Sequence, residues 1–410
     1  MNEKETYTVQ GTKPKSTNTS ILVIDAEMKE LPVETKVIGI LFCFWGRRNV
    51  TSLFTLQAVE AAKTNPLLKV SVSISRQNDI YDKFADFGSD LVAIDTFKSD
   101  AGAVLNMWRI PQIRRRLRKH IQSNNISIII DMMPHIWSPA ITSALQGLGA
   151  AYCVVAHDAV SHPGDHTSWV KIISDIAVRR ADAVITLSKS VAERIAASGK
   201  VMKSRVNVIA LPDIRYSHTH GSAARRKSGE ALRLLFIGRI MRYKGLELLI
   251  EAVELNNSRG FPMDLGVFGE GELGSNKGRL RKLNAEVANR WLTDDEVGEV
   301  LLRYDAVIAS HTESSQSGVV SAAFGAGIPV IATPVGGLME QVADGVTGVI
   351  AKSLDAEGLA DAILKIADPR FYDLLCRNIS SGKSARSMER FVQSCVGAGV
   401  AACLLLDQQS

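Results

Sequence analysis

From residue 36 onward, short and continuously apolar runs alternate with longer segments whose apolar positions recur at helical spacing. A strand buried on both faces needs apolar side chains throughout, whereas a strand with one wet face alternates apolar and polar residues. The runs therefore predict parallel strands covered by helices on both faces. In the first half of the chain they are Val37–Phe44, Lys69–Ile74, Leu91–Ile94, Ile126–Asp131, Ala151–Ala156, Ala183–Leu187 and Val206–Leu211.

One polar stretch, residues 217–230, interrupts the alternation and has no apolar periodicity, which indicates a linker. The alternation then resumes. The predicted strands of the second half are Leu232–Ile237, Met263–Phe268, Ala306–Ser310, Val330–Thr333 and Gly348–Ile350. This pattern predicts an α/β protein with two tandem Rossmann-like, doubly wound domains. Ligands of such sheets bind beyond the carboxyl ends of the strands, here in the interdomain cleft.

The pattern divides the chain into five segments. Residues 1–35 form a polar N-terminal tail, residues 36–216 the first domain and residues 217–230 the linker. Residues 231–380 form the second domain, and residues 381–410 form a helical segment that we expect to pack back on the first domain. A chain of 410 residues with 46% hydrophobic content has enough apolar material for two cores.

Composition narrows the class of protein further. The five cysteines include no Cys-x-x-Cys pair, which predicts reduced thiols and argues against a disulfide framework. A net charge of +5 is too small to imply a nucleic-acid partner. The N-terminus lacks the apolar core of a signal peptide, and polar residues and glycines interrupt the apolar stretch Phe391–Leu406. We therefore expect a cytoplasmic protein with a buried or surface-seated C-terminal helix.

The strongest chemical signal opens the second domain. The strand Leu232–Ile237 leads into Gly238 and Arg239, and Lys244 stands at the entrance of the next helix. Glycine permits a tight turn, Arg can bind phosphate oxygens in a planar fork and Lys adds a point charge. The arrangement predicts a site for a diphosphate. The alternative is two solvated cations on an ordinary loop.

A second segment strengthens the anion-binding prediction. Small residues follow the strand Ala306–Ser310 and lead into an Ala-rich helix, so backbone N–H groups would be open to an anion at the helix N-terminus. In the same loop, Glu313 could accept hydrogen bonds from sugar hydroxyls.

These elements occur in an order that resembles the C-terminal domain of the retaining GT-B glycosyltransferases of family 4, also called group 1. The matching elements are Gly-Arg-x-x-x-x-Lys-Gly, Gly269-Glu270-Gly271, Tyr304-Asp305-Ala306-Val307, Gly-x-Pro-Val-Ile-Ala-Thr, Gly-Gly-x-x-Glu and Asp-Gly-x-x-Gly. In the first half, residues 181–188 and His157-Asp158 also resemble the family. The resemblance implies transfer of a sugar from a nucleotide-sugar donor to an acceptor, with no cofactor and no metal.

The resemblance also implies roles for individual residues. The catalytic group would comprise Arg239 and Lys244, which neutralise the diphosphate, and His157, which hydrogen-bonds the donor sugar. The expected donor-binding residues are Gly46, Gly238, Glu313, Gln316, Ser317, Gly318 and Val319. The loop after the first strand would also face the acceptor, through Trp45 and Arg47.

The sequence departs from the family at one pair of positions. Relatives carry two Glu residues with seven residues between them before the Gly-x-Pro strand, and this chain has Ser314 and Ala322 at those positions. The stretch Gln316–Val319 resembles a Gln-Ser-Gly-Val variant of this region. The missing second carboxylate leaves open a non-catalytic partner subunit, and the shared architecture leaves open a sugar-nucleotide 2-epimerase.

Two further clusters have alternative interpretations. Three His and two Asp lie between His157 and His166, which are metal-ligand types, but a Pro-Gly loop does not give them helical spacing. The stretch Trp108–His120 is rich in Arg, and we expect it to contact anionic lipid, with Trp108, Ile110, Ile113 and Leu117 as its apolar side. The alternative is a solvated face.

The lipid interpretation and the resemblance together suggest a saccharide or lipid-linked saccharide acceptor. The enzyme would then act in bacterial exopolysaccharide or surface polysaccharide synthesis, at the inner face of the cytoplasmic membrane. A nucleic-acid partner is not expected, because no binding motif accompanies the basic stretch.

Overall fold

A computed structural model describes residues 37–408 except 49, 139–141, 143–147, 158–167 and 218–229. The predicted N-terminal tail and nearly all of the predicted linker lie outside the described residues. Two parallel sheets, each covered by helices, account for the regular part of the chain. The prediction of two tandem Rossmann-like α/β domains is therefore confirmed.

The first sheet has seven strands in the order β3-β2-β1-β4-β5-β6-β7. The strands are β1 (Ile38–Phe44), β2 (Leu68–Ser75), β3 (Leu91–Ile94), β4 (Ile126–Met133), β5 (Ala151–Ala156), β6 (Ala183–Thr186) and β7 (Val206–Val208). All pairs are parallel, and nearly all of the strand side chains are buried, as the continuous apolar runs predict. The direction of winding reverses between β1 and β4, which opens a crevice at their carboxyl ends.

The second sheet has six strands in the order β10-β9-β8-β11-β12-β13. They are β8 (Leu232–Ile237), β9 (Met263–Phe268), β10 (Glu286–Ala288), β11 (Ala306–Ala309), β12 (Val330–Ala332) and β13 (Gly348–Ile350). The apolar pattern does not predict β10, because this short edge strand is largely exposed and lacks a continuous apolar run. Winding reverses between β8 and β11, so the two loops that follow them lie side by side.

Helices cover both faces of each sheet. They are α1 (Val50–Lys63), α2 (Asp100–Leu105), α3 (Ile110–Ser123), α4 (Ser168–Arg180), α5 (Lys189–Ala197), α6 (Leu246–Ser258), α7 (Asn276–Lys282), α8 (Asp294–Arg303), α9 (Gly318–Gly325), α10 (Leu338–Gln341), α11 (Ala356–Ile366), α12 (Pro369–Ser381) and α13 (Met388–Asp407). A kinked 3-10 segment, Tyr81–Asp90, precedes β3, and single 3-10 turns precede α3, β7 and α6.

The C-terminal helix α13 returns to the first domain. Its Phe391 ring lies 5.0 Å from that of Phe54 on α1, centroid to centroid. The Cys403 thiol donates to the carbonyl of Ser127 at 3.3 Å. Among the described helices, α13 is long and apolar enough to cross a membrane by length and composition. In the structure, one face of this helix is buried against the first sheet and α1.

A buried carboxyl group lies in the core of the first domain. Tyr152 on β5 donates its hydroxyl to Asp131 Oδ2 on β4 at 2.7 Å, and both side chains are buried. Burial raises the pKa of Asp131 to about 6, although the hydrogen bond from Tyr152 opposes the shift. The folded protein therefore binds this proton more tightly than the unfolded chain.

We predict that Asp131 lowers the free energy of unfolding as pH rises from about 4, through the folded-state pKa of about 6, to about 7, with little further change at higher pH. Asp131→Asn keeps an oxygen for Tyr152 but cannot ionise. Relative to wild type, the variant should gain on the order of 2 kcal/mol between pH 4 and pH 7, since one pKa unit equals about 1.4 kcal/mol. Urea unfolding across this pH range measures the difference. Parallel stability curves for the two proteins would contradict the assignment.

Candidate active site

The loops that follow β8 and β11 meet at the carboxyl edge of the second sheet. The loop after β8 begins at Gly238, whose φ of +114° is a conformation that only glycine adopts easily. A Cβ placed on Gly238 would lie 3.4 Å from Val319 Cγ2, in the first turn of α9. The structure therefore brings Gly238 and Val319 together, and their binding of a donor stays a prediction.

The Gly269–Gly271 motif packs against the backbone of this loop. A Cβ on Gly269 would lie 1.9 Å from the carbonyl oxygen of Gly238, so a side chain there would displace the turn. The backbone N–H of Ile240 donates to the carbonyl of Glu270 at 2.8 Å. These contacts fix the backbone on either side of Arg239. The Arg239 side chain is exposed, with no hydrogen bond or ion pair to another residue in the described ranges.

Lys244 lies at the end of the same loop and contacts the loop after β11. Its ammonium Nζ is 2.6 Å from Nε2 of His311, a side chain that is 3% exposed. An ammonium has no acceptor, so it donates and the imidazole nitrogen accepts. His311 is therefore neutral in this pair, with its proton on Nδ1. The sequence offered no sign of this contact, because the two residues are 67 positions apart.

Backbone contacts join the two loops over the next few residues. Ser310 donates its hydroxyl to the carbonyl of Lys244 at 3.0 Å, and the Thr312 N–H donates to the carbonyl of Tyr243 at 2.8 Å. Gly245 adopts φ +67°, and a Cβ there would lie 1.9 Å from the carbonyl oxygen of Ser310. Only glycine permits this approach, which sets the position of Lys244 relative to the second loop.

Residues 310–317, between β11 and α9, form a cradle at the N-terminus of α9, where the sequence predicts an anion. Ser317 precedes α9, and its side chain does not cap the helix. Ser317 Oγ and Gln316 Oε1 are buried, yet neither finds a hydrogen-bond partner among the residues that the structure describes. Buried polar atoms without partners are costly, so these two atoms indicate a place where a polar ligand binds. Gly318, the residue after Ser317, is half-buried. The Glu313 side chain is exposed to solvent.

The two positions where relatives carry Glu are occupied by small buried residues. Ser314 is 8% exposed and donates to the carbonyl of Gln316 at 3.2 Å, and Ala322 is 5% exposed within α9. No carboxylate therefore stands at either position, as the sequence indicates.

The loop that follows β1 in the first domain, which contains Gly46, faces the cradle of the second domain. The side chain of Val50, the first residue of α1, lies 3.4 Å from where a Cβ on Gly318 would stand. The N-terminal ends of α1 and α9 thus approach each other across the cleft. Gly46 lies in the loop before α1, and Asn78 holds its carbonyl oxygen with a 2.9 Å hydrogen bond.

The two residues expected on the acceptor side point elsewhere. Trp45 is 4% exposed, and its indole N–H donates to Ser73 Oγ at 2.9 Å within the core. The Arg47 guanidinium donates to the carbonyl of Lys98 in the same domain. Their contact with an acceptor stays a prediction, which this geometry does not favour. The neighbouring Arg48 crosses the cleft, with its guanidinium carbon 4.4 Å from the centroid of the Trp291 ring.

His157 follows β5 at the carboxyl edge of the first sheet. Its Nε2 lies 2.7 Å from the carbonyl oxygen of Met132, at the end of the adjacent β4. His157 is the only described member of the cluster considered for a metal, because residues 158–167 lie outside the described ranges. In the rest of the described chain, no three His, Cys, Asp or Glu side chains group as metal ligands.

A second histidine, His135, lies near this edge, and the sequence motifs did not predict it. The ring of His135 lies 5.1 Å from Phe97, 5.6 Å from Trp137 and 6.1 Å from Trp45, centroid to centroid. Burial lowers the pKa of His135 to about 4, so the imidazole is neutral at physiological pH. Its Nδ1 accepts from the backbone N–H of Trp137 at 3.2 Å, which leaves the ring proton on Nε2. The sequence feature that could have indicated it is that His135 and Trp137 come just after the predicted strand Ile126–Asp131.

Most of the basic stretch Trp108–His120 lies in α3, and the apolar side of this helix faces the protein core and not the solvent. Ile110, Ile113 and Leu117 are buried against the first sheet, so the expectation that they form a lipid-facing side is wrong. The exposed apolar side chains lie just upstream and are Val104, Leu105, Met107 and Trp108. On α3 itself, an open groove of about 580 Å³ is lined by Pro111, Arg114, Arg115, Arg118, Lys119 and Gln122.

Two Rossmann-like domains that face each other across a cleft, with paired cations at the switch point of the second, form the GT-B arrangement. A family model described as Glycosyl transferases group 1 matches residues 231–368, and one described as Glycosyltransferase Family 4 matches residues 84–211. The chain belongs to the group 1 glycosyltransferases of the GT-B fold.

Relatives and solved structures agree with this assignment. A D-inositol 3-phosphate glycosyltransferase of Pseudarthrobacter chlorophenolicus is 35% identical over 156 residues, 35% of this chain and 37% of that protein. A glycogen synthase of Mycobacterium tuberculosis is 30% identical over 218 residues, 50% of this chain and 52% of that protein. The matched segments thus span about half or less of these relatives.

The structure of Anabaena HepE in complex with UDP and glucose superposes with a TM-score of 0.64, at 14% identity. The match covers 87% of this chain and 98% of that one. At this identity the likeness shows the fold alone.

We predict that Gly245→Ala destabilises the second domain more than Gly260→Ala does. Both glycines adopt positive φ and flank α6, but a Cβ on Gly245 meets the Ser310 carbonyl, whereas Gly260 has open space around it. Gly260→Ala should cost about 1–2 kcal/mol, the penalty for a left-handed Ala. Gly245→Ala should cost several kcal/mol, because the backbone of the second loop must move as well. Urea unfolding measures both, and equal losses would show that the close approach is unimportant.

Proposed function

We propose that the protein is a retaining glycosyltransferase that moves a sugar from a nucleotide-sugar donor to a saccharide or lipid-linked saccharide acceptor. The observation that carries the proposal is the junction of the two loops. There, Arg239 and Lys244 lie on the loop joined to the cradle before α9, in which two buried polar atoms have no hydrogen-bond partner among the described residues. Cations and an uncapped helix N-terminus suit a diphosphate, and UDP and glucose are bound in the neighbouring HepE structure.

The proposed reaction breaks the bond between the anomeric carbon and the leaving phosphate oxygen. The acceptor hydroxyl oxygen forms the new bond on the same face, and its proton passes to the leaving phosphate. Arg239 and Lys244 stabilise the negative charge that develops on the diphosphate. Neutral His311 holds the Lys244 ammonium without adding charge of its own. The expected residues Gln316, Ser317 and Gly318 hold the phosphates or the sugar from the opposite loop.

A thermal-shift screen against UDP-, GDP- and ADP-sugars tests donor binding, since a ligand of the folded state raises its apparent stability. Release of a nucleoside diphosphate should then depend on added acceptor. Epimerised sugar nucleotide as the product would instead establish the 2-epimerase alternative. Donor binding without turnover, across acceptors, would favour a non-catalytic subunit, which is the alternative that Ala322 keeps open.

Arg239→Ala and Lys244→Ala should each lower kcat by about 100-fold, the size of loss that follows removal of one charge-stabilising group. Arg242→Ala is the matched control, because Arg242 is an exposed cation in the same loop. His311→Ala should lower kcat by about tenfold in wild type but cause no further loss in Lys244→Ala, because it acts through Lys244. Steady-state kinetics measure the four single variants and the double variant of Lys244 and His311. Additive effects of His311→Ala and Lys244→Ala on kcat would show that His311 does not act through Lys244.

We also propose that the protein binds the anionic inner face of the cytoplasmic membrane, where a lipid-linked acceptor of exopolysaccharide or surface polysaccharide synthesis would be available. Four exposed apolar side chains within residues 104–108 come just before a groove lined by four cations in the sequence, and this pairing suits an interface of acyl chains and acidic headgroups. Trp108 is 69% exposed and Leu105 75%, which is unusual for side chains of this size. Arg116 does not belong to this surface, because it donates to the Ala93 carbonyl at 2.9 Å.

The triple variant Arg114→Gln, Arg115→Gln and Arg118→Gln should bind anionic vesicles about 100-fold more weakly, since each cation contributes about 1 kcal/mol at such a surface. Leu105→Ser with Trp108→Ser should also weaken binding, but with little change in salt dependence. The control triple Lys277→Gln, Arg281→Gln and Lys282→Gln removes exposed cations of α7. Co-sedimentation with phosphatidylcholine vesicles, with and without phosphatidylglycerol, measures the partitioning. Equal loss in the test and control triples would reduce α3 to a solvated face.

A further inference from the structure

The Gly-Gly-x-x-Glu motif packs against the cradle that precedes α9. A Cβ on Gly336 would lie 2.1 Å from the carbonyl oxygen of Ser314, and one on Gly337 the same distance from that of Ser315. The Gly337 N–H donates to the Ser314 carbonyl at 2.8 Å. The two glycines therefore let the motif lie directly against the backbone of the cradle.

The short helix α10 then fixes the last residue of the cradle. Gln341 Oε1 accepts from the Ser317 N–H at 2.7 Å, and Gln341 Nε2 donates to the Ser317 carbonyl at 3.2 Å. This paired contact holds the residue whose hydroxyl is buried without a partner in the described chain. Any shift of α10 must therefore be transmitted to Ser317.

The residue beside Gln341 reaches the other domain. Glu340 Oε2 accepts from the Lys189 N–H at 2.6 Å, and Glu340 Oε1 accepts from the Ser190 N–H at 2.9 Å. These are the first two N–H groups of α5, which have no partner within their own helix. A carboxylate at a helix N-terminus is stabilised by charge-assisted hydrogen bonds and by the helix dipole. The next N–H, that of Val191, is capped locally by Ser188 at 3.3 Å.

Besides the contact of Val50 with Gly318, two contacts between the domains lie near α8. The Arg48 guanidinium stacks on Trp291, and Lys83 forms a 3.4 Å ion pair with Asp294. Ion pairs between exposed side chains contribute little. The bidentate contact of Glu340 with backbone groups has no flexible partner to order, so it should contribute more to holding the domains together.

We infer that Glu340 is a positioning residue that couples the cradle to closure of the cleft. Its carboxylate holds α5 of the first domain, while the adjacent Gln341 holds Ser317, so α10 links the donor site to the relative position of the domains. By linkage, a ligand that orders the cradle strengthens the interdomain contact, and the contact strengthens binding of that ligand. This coupling rests on the proposed donor site, whereas the interdomain contact itself does not.

Two pairs of variants test the contact from opposite sides. Glu340→Ala removes the carboxylate, and Glu299→Ala is its control, because Glu299 is an exposed carboxylate on α8. Lys189→Pro removes one N–H that Glu340 accepts from, and Lys189→Ala retains that N–H while also removing the side-chain charge. Proline suits the first position of a helix, and the preceding Ser188 has extended backbone angles that tolerate it.

Small-angle scattering of the ligand-free proteins should give a larger radius of gyration for Glu340→Ala and Lys189→Pro than for their controls. Affinity for the best-binding of UDP, GDP and ADP should fall about tenfold in both variants, the change that loss of a charge-assisted hydrogen bond produces. Glu340→Gln, which keeps one acceptor oxygen, should give intermediate values.

Radii of gyration equal to those of the controls would overturn the interdomain contact. If wild type binds the diphosphate and the variants bind it equally tightly despite larger radii of gyration, the coupling is overturned. A wild type that binds none of the three diphosphates would instead refute the proposed function and leave the scattering result to stand on its own.

Discussion

The backbone approach between the loops after β8 and β11 is the constraint on which the candidate site depends. Reversal of winding between these strands places the loops side by side, but packing them at van der Waals distance requires a residue without a Cβ. Gly245 meets the Ser310 carbonyl at this point, and the hydroxyl of Ser310 returns a hydrogen bond to Lys244. The same contact therefore orders the cation, its neutral partner His311 and the start of the cradle.

Glycines elsewhere in the second domain extend this principle. Gly269 lies against the turn of Gly238, and Gly336 and Gly337 lie against the cradle from the opposite side. Each allows one backbone to support another directly, so that main-chain contacts help to hold the polar groups that face the cleft. A rigid set of donors aimed at a ligand is favourable because little conformational entropy is lost on binding.

The apolar runs predicted the fold well, because a doubly wound sheet buries its strands completely and so marks them in the sequence. The edge strand β10 is exposed and left no such mark. Ile110, Ile113 and Leu117 carried a helical period, but periodicity cannot tell whether an apolar face meets a protein core or a lipid. The ordered motifs located Gly238, Arg239 and Lys244, whereas the contacts of His311 and Glu340 join residues far apart in the chain. Such contacts follow from tertiary packing and are not encoded in any local pattern.

A crystal structure with the tightest-binding nucleoside diphosphate tests the central claim most directly. We predict that oxygens of the diphosphate lie within about 3 Å of both the Arg239 guanidinium and Lys244 Nζ, with at least one polar group of the ligand bonded to Gln316 Oε1 or Ser317 Oγ. A diphosphate bound elsewhere, such as in the groove lined by Arg114 and Arg118, would contradict the account, as would a bound diphosphate that neither cation touches.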